Sequence, residues 1–227
     1  MRVRVATTFL GITAALLAVS ACSTDSASAP SARTGMPVSD TAVLSSAALE
    51  ARLLDESDLG SGYLRKPEPS SKHDDVTVIG CPALNELGGG AATSGSLAFP
   101  RKAKASFTFG GSAVEVSEEL YSGSANKLSD GIGRIFEAMT GCPTYQVVAG
   151  GTPIDMASQK LTPPRGLGDE QWSQLLTFST GARSAVVKQT AIRDGSLLLI
   201  VSGSPALVDR HLGKALGKAL DKAMATS

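Results

Sequence analysis

Few residues in this chain have the types and spacing that chemistry needs. The only thiols are Cys22, Cys81 and Cys142, and the only imidazoles are His73 and His211. A structural zinc site draws on four converging Cys or His ligands, so this stock leaves almost nothing for one. His73-Asp74-Asp75 sets three metal-capable side chains side by side, but adjacent residues do not converge on one ion, and the run reads as a solvated loop. Ser124-Ala125-Asn126-Lys127 has the Ser-x-x-Lys spacing at which a lysine can activate a serine nucleophile. With 28 serines and 10 lysines in 227 residues, about one such match arises by chance, and no Lys-Thr-Gly element accompanies it. Ser124 is better read as a helix N-cap. There is no Gly-x-Ser-x-Gly elbow, P-loop, His-Glu-x-x-His or calcium-loop pattern. No catalytic residue, metal ligand or cofactor is therefore assigned. Tyr63, Tyr121, Tyr145 and Trp172 are candidates for a pocket wall, but each reads more simply as a core or rim residue.

The bulk numbers narrow the partners. Lysine plus arginine and aspartate plus glutamate both total 21, for zero net charge. Nucleic-acid binders carry a basic excess to meet phosphates, so no nucleic-acid partner is expected. Hydrophobic residues at 42% suit a packed core, and aromatics at 4% argue against a stacking platform for bases or sugars.

The first 21 residues read as an export signal: Arg2 and Arg4, an apolar run from Phe9 to Val19, then Val19-Ser20-Ala21-Cys22. The run is shorter than the roughly 20 apolar residues of a membrane-spanning helix. Val19-Ser20-Ala21-Cys22 resembles the lipobox of bacterial lipoproteins. That resemblance implies a diacylglycerol on the Cys22 thiol, cleavage before Cys22, and acyl chains such as palmitate holding the chain to the outer face of the cell membrane. Each buried methylene adds about 0.8 kcal/mol, so two or three chains anchor stably. Loss of Arg2 and Arg4 would leave 19 basic against 21 acidic side chains, so the lipid rather than charge would do the holding. Residues 22–42 are rich in Ser, Ala, Thr and Pro without apolar period. They read as a flexible tether with a mean span of about 25 Å.

With Cys22 lipidated, Cys81 and Cys142 remain. An even pair in an exported chain is usually a disulfide, closing a loop of about 60 residues for about 4 kcal/mol. Two free buried thiols are the alternative.

Residues 43–227 read as a single domain. A helix is expected over 42–54, capped by Asp40 or Thr41, then a loop over 65–75, a short strand at 76–79 and a turn or two of helix at 82–87. Alternation on either side of Gly110-Gly111 predicts a hairpin. Leu128, Ile132, Ile135, Phe136 and Met139 form one apolar stripe, predicting a helix over 124–140 with Gly141 as a left-handed C-cap. Strands are expected at 145–148, 154–161, 170–179 and 184–193, then Asp194-Gly195 as a two-residue turn. Leu197 to Val201, five apolar residues in a row, predict a central strand buried on both faces. Pro205 opens a last helix with Val208, Leu212, Leu216 and Leu220 inward. His211, Lys214, Lys218 and Lys222 line its other side, read as a solvated face. The fold class expected is α+β: a largely antiparallel sheet of about six strands with helices packed on one face.

Taken together, residues 44–225 resemble the extracellular sensor-type domain of some bacterial receptor Ser/Thr kinases, a module that also occurs as free-standing actinobacterial lipoproteins. The residues carrying the resemblance are Leu53-Leu54, Asp58-Leu59-Gly60, Tyr63 and Cys81-Pro82-Ala83-Leu84. The amphipathic helix ending at Cys142, Gly168-Asp169 before a strand, and the closing strand and helix complete it. The resemblance implies an antiparallel sheet with packed helices and a cleft for a ligand. Members often carry two disulfides, where this chain has cysteines for one.

The expected function is a membrane-anchored extracellular lipoprotein that binds a ligand or protein partner at the cell envelope without catalysis, its ligand-binding residues unknown. The alternatives are an envelope-directed hydrolase whose site leaves no local motif, and a lipid-carrying envelope protein.

Overall fold

The computed structural model describes residues 42–68, 76–88, 91, 99–111 and 114–221. The expected signal segment, Cys22, the expected tether up to residue 41, His73, Asp74, Asp75 and Lys222 lie outside the described residues. Nine strands form one sheet: β1 (Tyr63–Lys66), β2 (Val76–Ile79), β3 (Lys102–Phe109), β4 (Glu115–Ser122), β5 (Thr144–Ala149), β6 (Thr152–Lys160), β7 (Glu170–Thr180), β8 (Arg183–Asp194) and β9 (Leu197–Gly203). Their order is β1-β3-β4-β9-β8-β7-β6-β5-β2, and every neighbouring pair is antiparallel. Five helices complete the described residues: α1 (Ser46–Glu50), α2 (Glu56–Leu59), α3 (Pro82–Glu86), α4 (Ala125–Gly141) and α5 (Pro205–Ala219).

The α+β class and the antiparallel sheet agree with the sequence reading; the strand count of about six does not. The strand least visible in the sequence is β1. Only Tyr63 of its four residues is buried, so no alternation marks it, as befits a short edge strand with charged side chains.

The placement of helices on one face is also corrected. Leu197, Leu199 and Val201 of β9 point into one core, and Leu198 and Ile200 into another. A strand with two apolar faces needs a cover on each. On the first face α5 lies over β4, β9 and β8, with α1 beside it on β3. On the second, α4 lies over β6 to β9, and α3 packs on β2 and α4. The first core gathers Leu49, Leu54, Phe107, Leu120 and Val208, and the second Leu84, Tyr121, Leu128, Ile132 and Met139.

Several boundaries differ for local reasons. The helix expected over 42–54 is two short ones. α1 is capped by the Ser45 side chain, which accepts from Ala48 N, and α2 by a capping box between Asp55 and Asp58. Asp40 and Thr41 lie outside the described residues. α4 includes Gly141 and ends at Cys142, whose φ of −114° is extended, so Gly141 is not a left-handed cap. Ser124 sits at the N-cap of α4 but makes no side-chain capping bond. In the last hairpin Asp194 pairs with Leu197, leaving Gly195 and Ser196 as the turn. That is one residue beyond the expected pair.

Candidate ligand cleft

The structure disperses the residues with chemical potential. Ser124 and Lys127 are both exposed at the start of α4, and neither lines a described cavity. Among the described residues no group of three His, Cys, Asp or Glu side chains is placed to hold a metal ion. Tyr63 packs in the first core, Tyr121 and Tyr145 in the second, and neither described cleft is lined by more than one of these three and Trp172. The lysine row on α5 is not simply solvated. Lys218 forms ion pairs with Asp55, at 2.9 Å, and with Asp58, and Lys214 donates to the Asp58 carbonyl. His211 is buried, its Nε2 2.6 Å from the Tyr63 hydroxyl. Burial, followed by Arg210 and Lys214, pushes its pKa down. The face read as solvent-facing instead binds α2 and β1.

Cys81 and Cys142 are bonded to each other, with Cα atoms 5.7 Å apart. Cys81 precedes α3 and Cys142 closes α4. The link ties the end of the long helix to the segment that carries the edge strand β2.

Gly168-Asp169 owes its form to the β8–β9 hairpin. Gly168 has φ +66°, and a Cβ there would meet the Arg193 carbonyl oxygen at 2.5 Å and Ile192 Cγ2 at 2.7 Å. The neighbouring amide, Asp169 N, donates to that same carbonyl at 2.7 Å. Asp169 Oδ2 accepts from Gly195 N and from the Arg193 guanidinium, both at 2.9 Å. The Gly195 amide, then Arg193, holds the Asp169 carboxyl below the usual carboxylate range. Gly168→Ala is therefore expected to cost about 2 kcal/mol from backbone strain alone. Urea unfolding checks it, and an unchanged midpoint would show that the loop has room to move.

Residues 44–59 form a strap across the first core. Leu44 N donates to Ser122 Oγ at 2.9 Å, and the Arg52 guanidinium donates to the Ala219 carbonyl at 2.9 Å. Glu118 on β4 lies beneath, 2% exposed. Its Oε2 accepts from Leu54 N at 2.7 Å, and its Oε1 has no partner. Burial pushes the Glu118 carboxyl up to about 7, against the pull of the Leu54 amide and Lys218. No described cavity opens on this acid.

Among the described residues, two clefts stand open to solvent. A groove of about 430 Å³ runs over β5, β6 and β7 on the sheet face opposite α4, with Thr144, Gln146, Asp155, Thr177 and Ser179 on its floor. Gln146 donates to Asp155 there at 3.0 Å. The second cleft, about 320 Å³, lies between the last turns of α4 and the β6–β7 connection. Phe136, Glu137 and Thr140 contribute from the helix, Lys160, Leu161 and Pro163 from the end of β6 and the connection, and Gln171, Trp172 and Ser173 from β7. A helix packed on a strand whose connection loops out beside it leaves such a notch. Trp172 forms its floor, with the indole Nε1 4.0 Å from where a Cβ on Gly133 would stand. This second cleft lies between sheet, helix and loop, as expected of a ligand site.

Of its lining, only Trp172 stands out in the sequence as a pocket candidate. Glu137 lies off the apolar stripe of α4, which is true of any solvated residue. The signal available was its place in the last turns of a helix, where the macrodipole disfavours a carboxylate.

No protein-family model matches the chain, and no curated protein matches it. Its fold is similar to the extracellular domain of PknH from Mycobacterium tuberculosis: TM-score 0.57 at 15% identity, covering 80% of this chain and 97% of that one. A weaker likeness is to a putative uncharacterized protein of Mycobacterium smegmatis, the Rv0999 ortholog: TM-score 0.41 at 9% identity, covering 72% and 92%. The fold implied by that resemblance, an antiparallel sheet with packed helices, is thus shared with the extracellular domain of PknH.

Proposed function

We propose that this chain is a lipid-anchored binding module on the outer face of the cell envelope, taking a small ligand in the cleft between α4 and the β6–β7 connection and performing no chemistry on it. The observation that carries this reading is the cleft itself, where the single tryptophan of the chain meets polar and apolar neighbours in one notch. Such mixed linings, a mostly apolar body with a few placed polar groups, are what small-molecule sites use. The fold shared with the extracellular domain of PknH supports the compartment. The lipobox at Val19-Ser20-Ala21-Cys22 supports the anchor, and the residues after it supply the tether. The hydrolase alternative asks for two carboxylates on one cleft, whereas Glu137 is the one carboxylate lining the α4 cleft and Asp155 the one lining the groove. The lipid-carrier alternative asks for an enclosed apolar chamber, and both described clefts have polar walls.

The anchor is tested by Cys22→Ser. The unsubstituted chain is expected in the membrane fraction and the variant in the soluble or secreted fraction. Intact mass should show an acylated Cys22 as first residue. Identical fractionation of the two would remove the anchor from the proposal. The ligand site is tested by Trp172 emission, which reports on one position because the chain has one tryptophan.

A further inference from the structure

The charges around the α4 cleft define its ligand more closely, an inference that rests on reading the cleft as the ligand site. Glu137 and Lys160 both line it and both are exposed. Among the described residues neither forms an ion pair, with the other or with a third group. They come from opposite walls, Glu137 from the helix and Lys160 from the end of β6. Lys160 stands opposite Gln174 in register, on the sheet face that α4 covers. The Glu137 wall is negative twice over. α4 runs 17 residues and its last turn carries no basic residue, so its carbonyl end adds partial negative charge to the carboxylate. An unpaired acid there works against the stability of the helix, and such a locally unfavourable choice points to a ligand-facing role. Trp172 and Phe136 line the same cleft as the two charges.

We infer that the cleft binds a small zwitterion with an apolar side chain, a free amino acid or a very short peptide. Its ammonium sits against Glu137 and the C-terminal turn of α4, its carboxylate against Lys160, and its side chain over Trp172. The cleft volume of about 320 Å³ is near the low end of the range for small-molecule pockets, about 300–1,000 Å³. It therefore holds one or two residues at a time.

The test is a titration of the detergent-solubilised full-length chain, followed by Trp172 emission and by calorimetry. The probes are L-leucine and L-phenylalanine with both charges free, the N-acetyl and amide forms that lack one charge, and the N-acetyl amide that lacks both. A saturable emission change with the free amino acids is expected, weakened at least about tenfold on capping either end. Glu137→Gln and Lys160→Gln, surface substitutions that keep side-chain length or nearly so, are expected to weaken the free amino acids by a similar factor. Each should also erase the preference for the end it served. Equal binding of capped and free probes would overturn the zwitterion assignment and leave the cleft as a ligand site. Silence of Trp172 and of the calorimeter toward every probe would overturn both. A full-strength response in the two variants would overturn the assignment of the charges.

Discussion

Removal of the Cys81–Cys142 bond lowers the unfolding free energy by about 4 kcal/mol, the chain-entropy value for a closed loop spanning 61 residues. That is a large share of the roughly 5–15 kcal/mol that holds a typical domain together. The location makes the loss specific. β2 is an edge strand of four residues with one hydrogen-bonded neighbour, β5. α3 buries one side chain, Leu84, in its own five residues. Elements this short rarely persist on their own contacts, so the covalent link to the end of α4 keeps them docked. Urea unfolding of the Cys81→Ser/Cys142→Ser double variant should show the lower stability. Hydrogen exchange should show protection lost first over residues 76–88. A change under about 1 kcal/mol would mean that packing around Leu84 suffices.

The contribution of Glu118 to stability falls as pH rises from about 4.5 to 7. Its ordinary value is 4.5 and burial raises it to about 7 in the folded chain. Between those values the folded state holds a proton that the unfolded state has released, so rising pH favours unfolding. Fully expressed above pH 7, the difference is about 3 kcal/mol. The groups around the carboxyl do not cancel it. Lys218 attracts the charge, but it is itself committed to Asp55 and Asp58, and Asp58 repels. Ala105 and Val201, the cross-strand neighbours, are uncharged. His211 acts in the opposite sense: its lowered pKa adds stability as pH rises toward 6.5. The difference between wild type and Glu118→Gln isolates the acid, because glutamine still accepts from Leu54 N and carries no charge. The two proteins are expected to match near pH 4.5 and to separate by about 3 kcal/mol at pH 8.5, with the variant the more stable. At that pH the variant's strap at 44–59 should exchange more slowly than the wild type's. A pH-independent difference would refute the assignment.

Much of this architecture is legible in the residues themselves. The stripe from Leu128 to Met139 names the buried side of α4, and all five of its members are buried. Trp172, Leu176 and Phe178, which alternate along 170–179, share one sheet face. The apolar run at 197–201 already required two covered faces, so a one-sided helix layer was inconsistent with that strand. Glu118 was also within reach. Val116 and Leu120 point inward, and period two places Glu118 between them. What was not legible depends on long-range pairing. Nothing local marks β1, since it is a strand only because β3 lies beside it. Nothing local says that Lys214 and Lys218 meet α2 about 160 residues earlier. The cleft was equally hidden, because Glu137, Lys160 and Trp172 belong to three elements, and only the packing of α4 on β6 and β7 makes them neighbours.

The strand order carries a kinetic consequence. β5 to β9 form an unbroken meander in which each strand pairs with the next in sequence, so that half assembles from short loop closures. β4 instead waits for β9, and β2 for β5. One edge of β4 must therefore stay unpaired until β9, near the end of the chain, has been synthesised. Closures over such distances are slow. During that wait β1, β3 and β4, with Phe107, Val116 and Leu120, form a small sheet whose β4 edge is unpaired, and a chaperone that shields that edge would raise the yield of folded protein more than one acting on the later half.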